Sequence, residues 1–315
     1  MPTVYLVVPC YNEEDVLPET VKRLTEKMTA MIADGLADKD SRMLFVDDGS
    51  RDSTWELIEN FSKENTLVGG LKLSHNRGHQ NALLAGLMSA KEHCDCAISL
   101  DADLQDDIGV LDQFVEKFNE GCQVVYGVRS SRRTDTAFKR STARSYYKFM
   151  KALGVEIVYD HADYRLMGKQ ALDALAEYKE VNLFLRGIVP LIGFRSDYVY
   201  YERHERFAGK SKYPLSKMLR FALDGVTSFS VKPLRIISNI GMIICCMSII
   251  GLIYGLISFL TGSSVAGWTS LICSIWFLGG LQMFCIGIVG VYVGKIYSET
   301  KHRPRFIIEK EIIND

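Results

Sequence analysis

The sequence predicts an α/β domain built on a mostly parallel sheet, followed by an amphipathic interfacial helix and a two-helix transmembrane hairpin. From residue 3 to about residue 200, short β-branched runs alternate with segments of helical periodicity. Residues 236–294 then form a run of 59 residues without Asp, Glu, Lys or Arg, so all 75 charged residues lie in the other 256 positions. A charge-free run of this length excludes a uniformly water-soluble protein.

Alternating elements define the first part of the chain. Five short runs predict strands, at residues 4–8, 43–46, 70–73, 97–100 and 124–126. Apolar residues at helical spacing predict helices between the strands, at residues 17–31, 55–61, 82–88 and 110–118. This order implies a mostly parallel sheet with helices on both faces. Ligands of such sheets bind at the carboxyl ends of the strands.

The uncharged run predicts two membrane spans, at residues 236–260 and 268–293, each long enough to cross the hydrocarbon core. Lys and Arg precede the first span and follow the second, which predicts that both termini are cytoplasmic. Residues 213–235 contain an amphipathic helix suited to the membrane interface, although a surface helix packed on the domain has the same pattern. The sequence predicts a cytoplasmic domain before these segments, at residues 1–212, and a basic cytoplasmic tail after them, at residues 294–315.

Overall charge and cysteine usage narrow the class further. A formal net charge of −1 argues against a nucleic-acid-binding protein, for which a strongly basic domain is expected. Four of the eight cysteines lie in the uncharged run, where they behave as small apolar residues. The remaining cysteines form no disulfide framework, so a reduced, cytosolic compartment is expected for the soluble part.

Polar clusters follow three of the predicted strands. They are Pro9-Cys10-Tyr11-Asn12-Glu13-Glu14, Asp47-Asp48-Gly49-Ser50 and Asp101-Ala102-Asp103-Leu104-Gln105-Asp106. Taken singly, each is also explained by a helix cap, a turn or a solvated loop. Because the three clusters occupy equivalent ends of one predicted sheet, we expect them to converge on one crevice.

The third cluster has the composition of a hard-metal site. In an extended segment, Asp101, Asp103 and Gln105 point the same way and offer two carboxylates and an amide oxygen to one cation. Oxygen ligands suit Mg²⁺ or Mn²⁺, and a cation held by few protein groups leaves positions for substrate phosphates. The chain has neither the phosphate-loop motif nor the dinucleotide-binding glycine motif.

These segments resemble the signatures of glycosyltransferase family 2. The similarity is greatest to its membrane-anchored branch, the polyprenyl-phosphate glycosyltransferases that include bactoprenol glucosyltransferases and dolichyl-phosphate mannose synthases. The matching segments are Val-Pro-Cys-Tyr-Asn-Glu-Glu, Val-Asp-Asp-Gly-Ser-Arg-Asp-Ser-Thr, Asp-Ala-Asp-Leu-Gln-Asp, His161–Met167, Arg203–Tyr213, the two spans and the segment after them. The resemblance covers nearly the whole chain and implies the GT-A fold.

The resemblance also implies roles for individual residues. The nucleotide-sugar pocket would contain Pro9, Tyr11, Glu13, Asp48, Asp101 and Asp103. The metal would be held by Asp101, Asp103 and Gln105, while Asp103 and Asp163 would be catalytic, Asp163 occupying the general-base position or orienting the substrates. Contacts to the acceptor phosphate are expected from Arg129, Arg140, Arg144, Arg206 and Lys212. For most of the basic residues in these segments, a surface facing anionic lipid is the simpler interpretation.

The expected activity is inverting, metal-dependent transfer of a sugar from a nucleotide-diphosphate sugar, UDP-glucose or similar, to undecaprenyl phosphate. It would take place at the cytoplasmic face of the plasma membrane and serve cell-envelope glycan modification. GDP-mannose, UDP-GlcNAc and amino-arabinose donors fit the sequence equally, because pocket shape decides the sugar. Two other hypotheses are an inactive family member that acts as a scaffold or complex subunit and a protein that flips the glycolipid. The spacing Gly290-x-x-x-Gly294 allows close helix packing, so a homo-oligomer also stays open.

Overall fold

The computed structural model of the protein describes residues 1–130, 161–181, 184–202 and 267–313, with isolated helical residues between 234 and 250. Two compact units are present, one containing the sheet and the other the long C-terminal helix. The strands are β1 (Val4–Cys10), β2 (Arg42–Asp47), β3 (Val68–Leu73), β4 (Cys96–Ser99), β5 (Val124–Arg129), β6 (His161–Gly168), β7 (Ser196–Tyr201) and β8 (Ile308–Ile312). The helices are α1 (Leu17–Ala33), α2 (Thr54–Glu64), α3 (His79–Ala90), α4 (Leu111–Asn119), α5 (Lys169–Glu177), α6 (Leu185–Ile192) and α7 (Trp268–Thr300).

Eight strands form one sheet in the order β7-β5-β6-β4-β1-β2-β3-β8. The pairs β1–β2, β1–β4, β2–β3 and β5–β7 are parallel. Strand β6 is antiparallel to both of its neighbours, and β8 is antiparallel to β3. The predicted α/β class with a mostly parallel sheet is therefore confirmed, as are the five predicted strands and the four helices between them.

Helices cover both faces of the sheet because the buried strands alternate their side chains. Val4, Leu6 and Val8 of β1 belong to an apolar cluster that includes the buried faces of α1, α2 and α4. Val7 points to the opposite face, where α3 packs so closely that its Gly86 faces the Val7 side chain. The apolar stripe predicted on the first helix is fully buried.

Strand β6 brings an additional acidic residue to the carboxyl ends of the parallel strands. Ser99 of β4 pairs with Arg165 of β6, and continuing this antiparallel register places Asp163 level with Asp101. The hydroxyl of Ser99 donates to the carbonyl oxygen of Asp163, which holds the first residues of β6 against the end of β4. Asp163 therefore joins the edge of the sheet at which the Asp101 loop begins.

The segment predicted as a basic cytoplasmic tail, residues 294–315, contains the end of a helix and a strand. Helix α7 continues to Thr300, and Ile308–Ile312 pairs with β3 as the edge strand of the sheet. Two cross-element ion pairs accompany this strand, Lys72 Nζ to Glu309 Oε1 at 3.3 Å and Lys310 Nζ to Glu59 Oε1 at 3.2 Å. Short-range periodicity could not reveal the strand, since its partner lies more than two hundred residues earlier in the chain.

Helix α7 contains the second predicted span, residues 268–293. Its segment Phe277–Thr300 has a mean hydropathy of 1.8, and among the described residues it is the one helix long and apolar enough to cross a membrane. Large apolar side chains of this segment, including Phe277, Met283 and Phe284, are exposed. Most of the first predicted span at residues 236–260 and nearly all of the amphipathic segment at residues 213–235 lie outside the described residues.

The close packing of α3 on the sheet is testable at Gly86. A Cβ atom there would lie 2.4 Å from Val7 Cγ1 and 2.6 Å from Val46 Cγ2, so Gly86→Ala should lower the stability of the domain by about 1–3 kcal/mol through overpacking. The measurement is the midpoint of thermal unfolding in detergent. The control is Gly287→Ala in α7, where a Cβ would meet no atom within 4 Å. Equal midpoints for Gly86→Ala and the unaltered chain would contradict this packing.

Candidate active site

The loops that follow β1 and β2 are hydrogen-bonded to each other. The amide of Asn12 donates to Ser50 Oγ at 3.0 Å, and the amide of Arg51 donates to Asn12 Oδ1 at 2.9 Å. The amide of Glu13 donates to Thr54 Oγ1 at 3.0 Å. Asn12 has a positive φ of 52°, a conformation that asparagine tolerates better than most residues. These bonds confirm that the first two polar clusters meet at one edge of the sheet.

Asp48 holds the loop that follows β3. Its two carboxylate oxygens accept hydrogen bonds from the amides of Arg77, at 2.7 Å, and Gly78, at 2.9 Å. Burial raises the pKa of Asp48, although these two bonds act in the opposite direction. Gly49 has a φ of 64°, and a Cβ atom there would lie 2.7 Å from the backbone of Asn76. Asp48 and Gly49 therefore hold the loop after β3 against the loop after β2 through its backbone.

Pro9, Tyr11 and Glu13 lie at and just after the carboxyl end of β1 and differ in their exposure. Pro9 is buried in the last part of β1, Tyr11 is exposed and Glu13 is partly buried. The structure thus brings these three predicted pocket residues to the same edge of the sheet as Asp48. Their assignment to the nucleotide stays a prediction.

The segment from Asp101 to Gln105 departs from the extended geometry that the spacing suggested. Residues 102–104 form a turn, and Leu104 has a positive φ of 54°. Asp103 is buried and its Oδ1 accepts a hydrogen bond from the Gln105 amide at 3.2 Å, whereas the Asp101 side chain is 38% exposed. The expectation that three side chains point the same way along an extended strand is therefore wrong, because the chain turns immediately after β4.

Metal ligation at this turn depends on few protein groups. Within the described part of the chain, no cluster of three or more His, Cys, Asp or Glu side chains is arranged to hold a metal ion. Asp101 and Asp103 supply hard carboxylate oxygens, and Mg²⁺ commonly uses one or two protein carboxylates together with substrate phosphates and water. The donor set fits that arrangement and does not fit a metal cage made of protein side chains alone.

A charged cluster surrounds Asp163. Its Oδ1 lies 2.5 Å from Arg165 Nη2 and 3.2 Å from Arg186 Nε, and its Oδ2 lies 2.9 Å from Arg186 Nη2. His79 Nε2, at the start of α3, is 3.7 Å from Asp163 Oδ2 and also 3.7 Å from Asp101 Oδ1. The imidazole therefore links the Asp163 cluster to the Asp101 turn.

The cluster keeps Asp163 ionised. Burial opposes ionisation, but Arg186, His79 and Arg165 together outweigh it and hold the pKa of the Asp163 carboxyl well below its ordinary value. Burial also acts to lower the pKa of His79, yet the neighbouring carboxylates of Asp163 and Asp101 raise it overall. A carboxylate with so low a proton affinity is a weak general base.

Arg129 is the one predicted acceptor-contact residue that the structure describes. Its Nε lies 3.5 Å from the hydroxyl of Tyr201, and that hydroxyl donates to Asp106 Oδ1 at 2.7 Å. Burial and the neighbouring Asp106 raise the pKa of Tyr201, so its hydroxyl remains protonated. The other predicted acceptor-contact residues lie outside the described residues, namely Arg140, Arg144, Arg206 and Lys212.

Three residues of the cluster were not predicted, His79, Arg165 and Arg186. The sequence around His79 contains no carboxylate that would mark it as part of a site. Arg165 lies in the segment that contains Asp163, and nothing in the sequence distinguishes it from its neighbours. Arg186 had a detectable signal, because it is the only charged residue of the otherwise apolar stretch 184–194. An isolated arginine in an apolar helix needs a partner, and here the partner is Asp163.

Comparison with known proteins establishes the family. Residues 5–176 match the family model of Glycosyl transferase family 2. The chain is 55% identical over 314 residues to the uncharacterized glycosyltransferase YkoT of Bacillus subtilis, covering 100% of this chain and 93% of that protein. It is 38% identical over 310 residues to the bactoprenol glucosyl transferase of Shigella phage SfV, covering 98% of each.

Among solved structures, the mannosyltransferase PcManGT from Pyrobaculum calidifontis, in complex with GDP-Man and Mn²⁺, aligns over 93% of this chain and 87% of its own, with a TM-score of 0.44 and 13% identity. On the family model and the full-length relatives, the chain belongs to glycosyltransferase family 2. It is a glycosyltransferase with a GT-A-like sheet.

The buried charges of the cluster predict a large stability effect at Asp163. Asp163→Asn leaves the guanidinium of Arg165, which is 2% exposed, without its counter-ion and should cost about 3–5 kcal/mol. The measurement is the free energy of unfolding of the full chain in detergent.

The control is Asp173→Asn, which removes a surface pair with Lys91 and should cost no more than about 1 kcal/mol. The pKa of Asp163 is lower in the folded protein than in the unfolded chain, where it is about 3.9. The ion pairs of Asp163 therefore stabilise the fold at any pH above about 3.9, and this stabilisation is lost as the pH falls through the folded-state pKa. Similar losses for the two variants near neutral pH would refute the assignment of a buried ion pair.

Proposed function

We propose that the protein transfers a sugar from a nucleotide-diphosphate sugar to a polyprenyl phosphate at a membrane surface, with inversion at the anomeric carbon. The observation that carries this proposal is the convergence of Asp48, Asp101, Asp103 and Asp163 at one edge of the sheet, within a chain that matches bactoprenol glucosyl transferases over nearly its full length. The proposed donor is UDP-glucose, and the proposed acceptor is undecaprenyl phosphate.

The donor would occupy the crevice formed by the loops after β1, β2 and β3. Pro9, Tyr11 and Glu13 would lie on one side of the donor and the loop held by Asp48 on the other, next to the base and the ribose. Asp101 and Asp103 would hold a Mg²⁺ or Mn²⁺ ion on the diphosphate, with Gln105 beside them. When bound, the ion supplies charge stabilisation for the departing nucleoside diphosphate.

The nature of the acceptor explains why a strong base is not required. A phosphate monoester is already ionised near neutral pH, so no proton has to be removed before its oxygen attacks the sugar. The low proton affinity of Asp163 agrees with this chemistry. Arg129 is part of the acceptor proposal, together with Arg140, Arg144, Arg206 and Lys212, because an anionic acceptor must approach an anionic donor.

Membrane attachment would come from α7 and from a first span at residues 236–260. Exposed apolar side chains occur at the described helical positions Ile243, Met247 and Ile250 and along the Phe277–Thr300 segment. Basic residues flank the two proposed spans, which favours two crossings with both termini in the cytoplasm of the cell. The polyprenyl phosphate would then be reached from the cytoplasmic face.

The proposal is tested by a transfer assay with the purified full chain. The purified chain is incubated with undecaprenyl phosphate, Mn²⁺ and one radiolabelled donor at a time. The donors are UDP-glucose, UDP-GlcNAc, GDP-mannose and a nucleotide-linked amino-arabinose. A labelled lipid that survives organic extraction from one donor is the expected result. An inactive scaffold would form no product and show no metal-dependent binding of these donors in isothermal titration, an outcome that would overturn the proposal.

The metal assignment makes its own prediction. Asp101→Asn should reduce transfer by at least about a hundredfold and weaken Mn²⁺ binding in the presence of UDP, because it removes the more exposed carboxylate ligand. Electron paramagnetic resonance of Mn²⁺ follows the binding independently of turnover. The matched control is Asp112→Asn, which removes a partly buried carboxylate that pairs with Lys27. Full activity and unchanged Mn²⁺ binding in Asp101→Asn would rule out this ligand.

A further inference from the structure

The loop of residues 101–107, which follows β4, has an unfavourable backbone conformation. Leu104 has a φ of 54°, in the left-handed region that a leucine seldom adopts. Such a conformation persists only where the surrounding structure holds it in place. Asp101 and Asp103 belong to the same loop. The contacts that hold the backbone near Leu104 therefore also determine the positions of these two residues.

A hydroxyl from α1 holds the first part of this loop. Thr20 is fully buried, and its Oγ1 donates to the carbonyl oxygen of Ala102 at 2.8 Å. Ala102 is itself buried and lies between Asp101 and Asp103. The same Oγ1 lies 3.1 Å from the carbonyl oxygen of Val16, four residues earlier, a bond that a threonine commonly makes within its own helix. The threonine could thus be satisfied within α1, and the shorter contact serves the loop.

Two tyrosine hydroxyls hold the last part of the loop. The hydroxyl of Tyr201 donates to Asp106 Oδ1 at 2.7 Å, and the hydroxyl of Tyr164 donates to the carbonyl oxygen of Asp107 at 2.9 Å. Both tyrosines are almost completely buried. Tyr201 belongs to β7 and Tyr164 to β6. Together with Thr20, they attach the loop to one helix and two strands.

The two tyrosine rings have little freedom to move. They pack edge to face, with ring centroids 5.2 Å apart and an angle of 84° between the planes. Tyr164 also packs on Phe114 of α4, with ring centroids 4.8 Å apart. A Cβ atom at Gly127 of β5 would lie 3.1 Å from Tyr164 Cδ1 and 3.2 Å from Tyr201 Cε1, so the strand backbone lies directly against both rings. The packing of the sheet therefore determines where the two hydroxyls point.

We propose that Thr20, Tyr164 and Tyr201 are positioning residues for the divalent cation. Their hydroxyls hold the loop of residues 101–107 in the conformation that presents Asp101 and Asp103 to the metal. This inference rests on the proposed function, in which the two carboxylates hold Mg²⁺ or Mn²⁺ on the diphosphate. The three hydroxyls act through the loop, and none of them is proposed to contact the metal.

The small number of protein ligands makes this positioning important. Mg²⁺ and similar ions at nucleotide sites are commonly held by one or two carboxylates together with phosphate oxygens and water. The apparent affinity of such a site falls in proportion to the fraction of molecules in which the ligands have the binding conformation. A loop that contains a left-handed leucine would leave this conformation more often if one of its anchoring hydrogen bonds were removed.

The experiment measures Mn²⁺ binding to the full chain in detergent by electron paramagnetic resonance, in the presence of UDP and, separately, of GDP. Thr20→Val, Tyr164→Phe and Tyr201→Phe each remove one hydroxyl and keep most of the side-chain shape. Thr20→Ser removes a methyl group and keeps the hydroxyl. Thermal unfolding without metal gives the stability of each variant independently.

The matched control is Ser41→Ala. Ser41 is fully buried, and its Oγ accepts a hydrogen bond from the Val4 amide at 3.0 Å. Val4 is the first residue of β1, so this hydroxyl lies at the opposite end of the strands from the loop. The control therefore removes a buried hydroxyl from the same domain without touching the proposed metal site.

Thr20→Val, Tyr164→Phe and Tyr201→Phe should each weaken Mn²⁺ binding by about fivefold, which corresponds to the loss of one neutral hydrogen bond. Thr20→Ser should bind Mn²⁺ as the unaltered chain does, although the loss of a buried methyl group lowers its unfolding midpoint. Ser41→Ala should lower the unfolding midpoint and leave Mn²⁺ binding unchanged. In the transfer assay, a higher Mn²⁺ concentration should restore the rate of Thr20→Val, and its KM for undecaprenyl phosphate should stay unchanged.

The outcomes that contradict the inference are distinct from those that contradict the proposed function. If the unaltered chain binds Mn²⁺ and a folded variant that lacks one hydroxyl binds it equally well, the positioning role of that hydroxyl is refuted and the proposed function stands. Equal losses of binding in Thr20→Val and Thr20→Ser also refute the role of Thr20, because the loss would not depend on the hydroxyl. If the unaltered chain transfers sugar without binding Mn²⁺, this inference fails together with the metal assignment. If it neither transfers sugar nor binds Mn²⁺ with either nucleoside diphosphate, the proposed function itself fails.

Discussion

The ion pair between Asp163 and Arg165 is the constraint on which the rest of the site depends. Both residues lie on β6, two positions apart, so their side chains project from the same face of the strand. Both are almost completely buried, and an isolated charge at such a place would cost several kcal/mol. The fold therefore has to keep β6, α3 and α6 together at this edge, because each supplies a group that neutralises or orients the pair.

This constraint explains the position of the crevice. Antiparallel β6 places Asp163 beside the end of β4, from which the Asp101 turn departs. His79 starts α3 and faces both carboxylates, while Asp48 anchors the loop that leads into α3. The loops after β1, β2, β3 and β4 are thus connected to one charged cluster by direct hydrogen bonds or short contacts. A donor bound among them would be surrounded by groups whose charges are already set.

The chemistry proposed for the site follows from those charges. A general base has to accept a proton, and Arg186, His79 and Arg165 hold the pKa of the Asp163 carboxyl well below its ordinary value. Such a carboxylate is better suited to orienting a cation than to taking up a proton. An acceptor that arrives as an anion would need positive charge around it, and Arg129 is the described residue proposed to contribute to it. Of the two roles that the family resemblance left open for Asp163, the general-base position and the orientation of the substrates, this chemistry favours the second.

The sequence predicted the parts of the fold that are governed by local periodicity. The apolar stripe along α1 and the buried runs of β1 and β2 have the periodicity of a helix and of strands. The acidic residues after the strands were predicted to belong to the site because ligands of parallel sheets bind at the carboxyl ends of the strands. Strand β8 could not be predicted in this way, because its pairing with β3 is non-local.

The contact of Arg186 with Asp163 also joins distant segments, and the turn at Leu104 requires a backbone conformation that leucine seldom adopts. The family resemblance identified Asp163 but not the residues that surround it. Two of them, His79 and Arg186, come from α3 and α6, whose sequences carry no chemical motif of their own, and the third, Arg165, lies on β6 beside Asp163 itself.

The most direct measurement is an experimental structure of the full chain with nucleoside diphosphate, Mn²⁺ and undecaprenyl phosphate bound. The account predicts that Asp163 keeps its contacts with Arg165 and Arg186 and stays unprotonated. Asp101 should lie on the metal in the same structure. A metal ion that Asp101 does not contact, or an Asp163 carboxylate separated from Arg186 and hydrogen-bonded to the acceptor, would contradict the account.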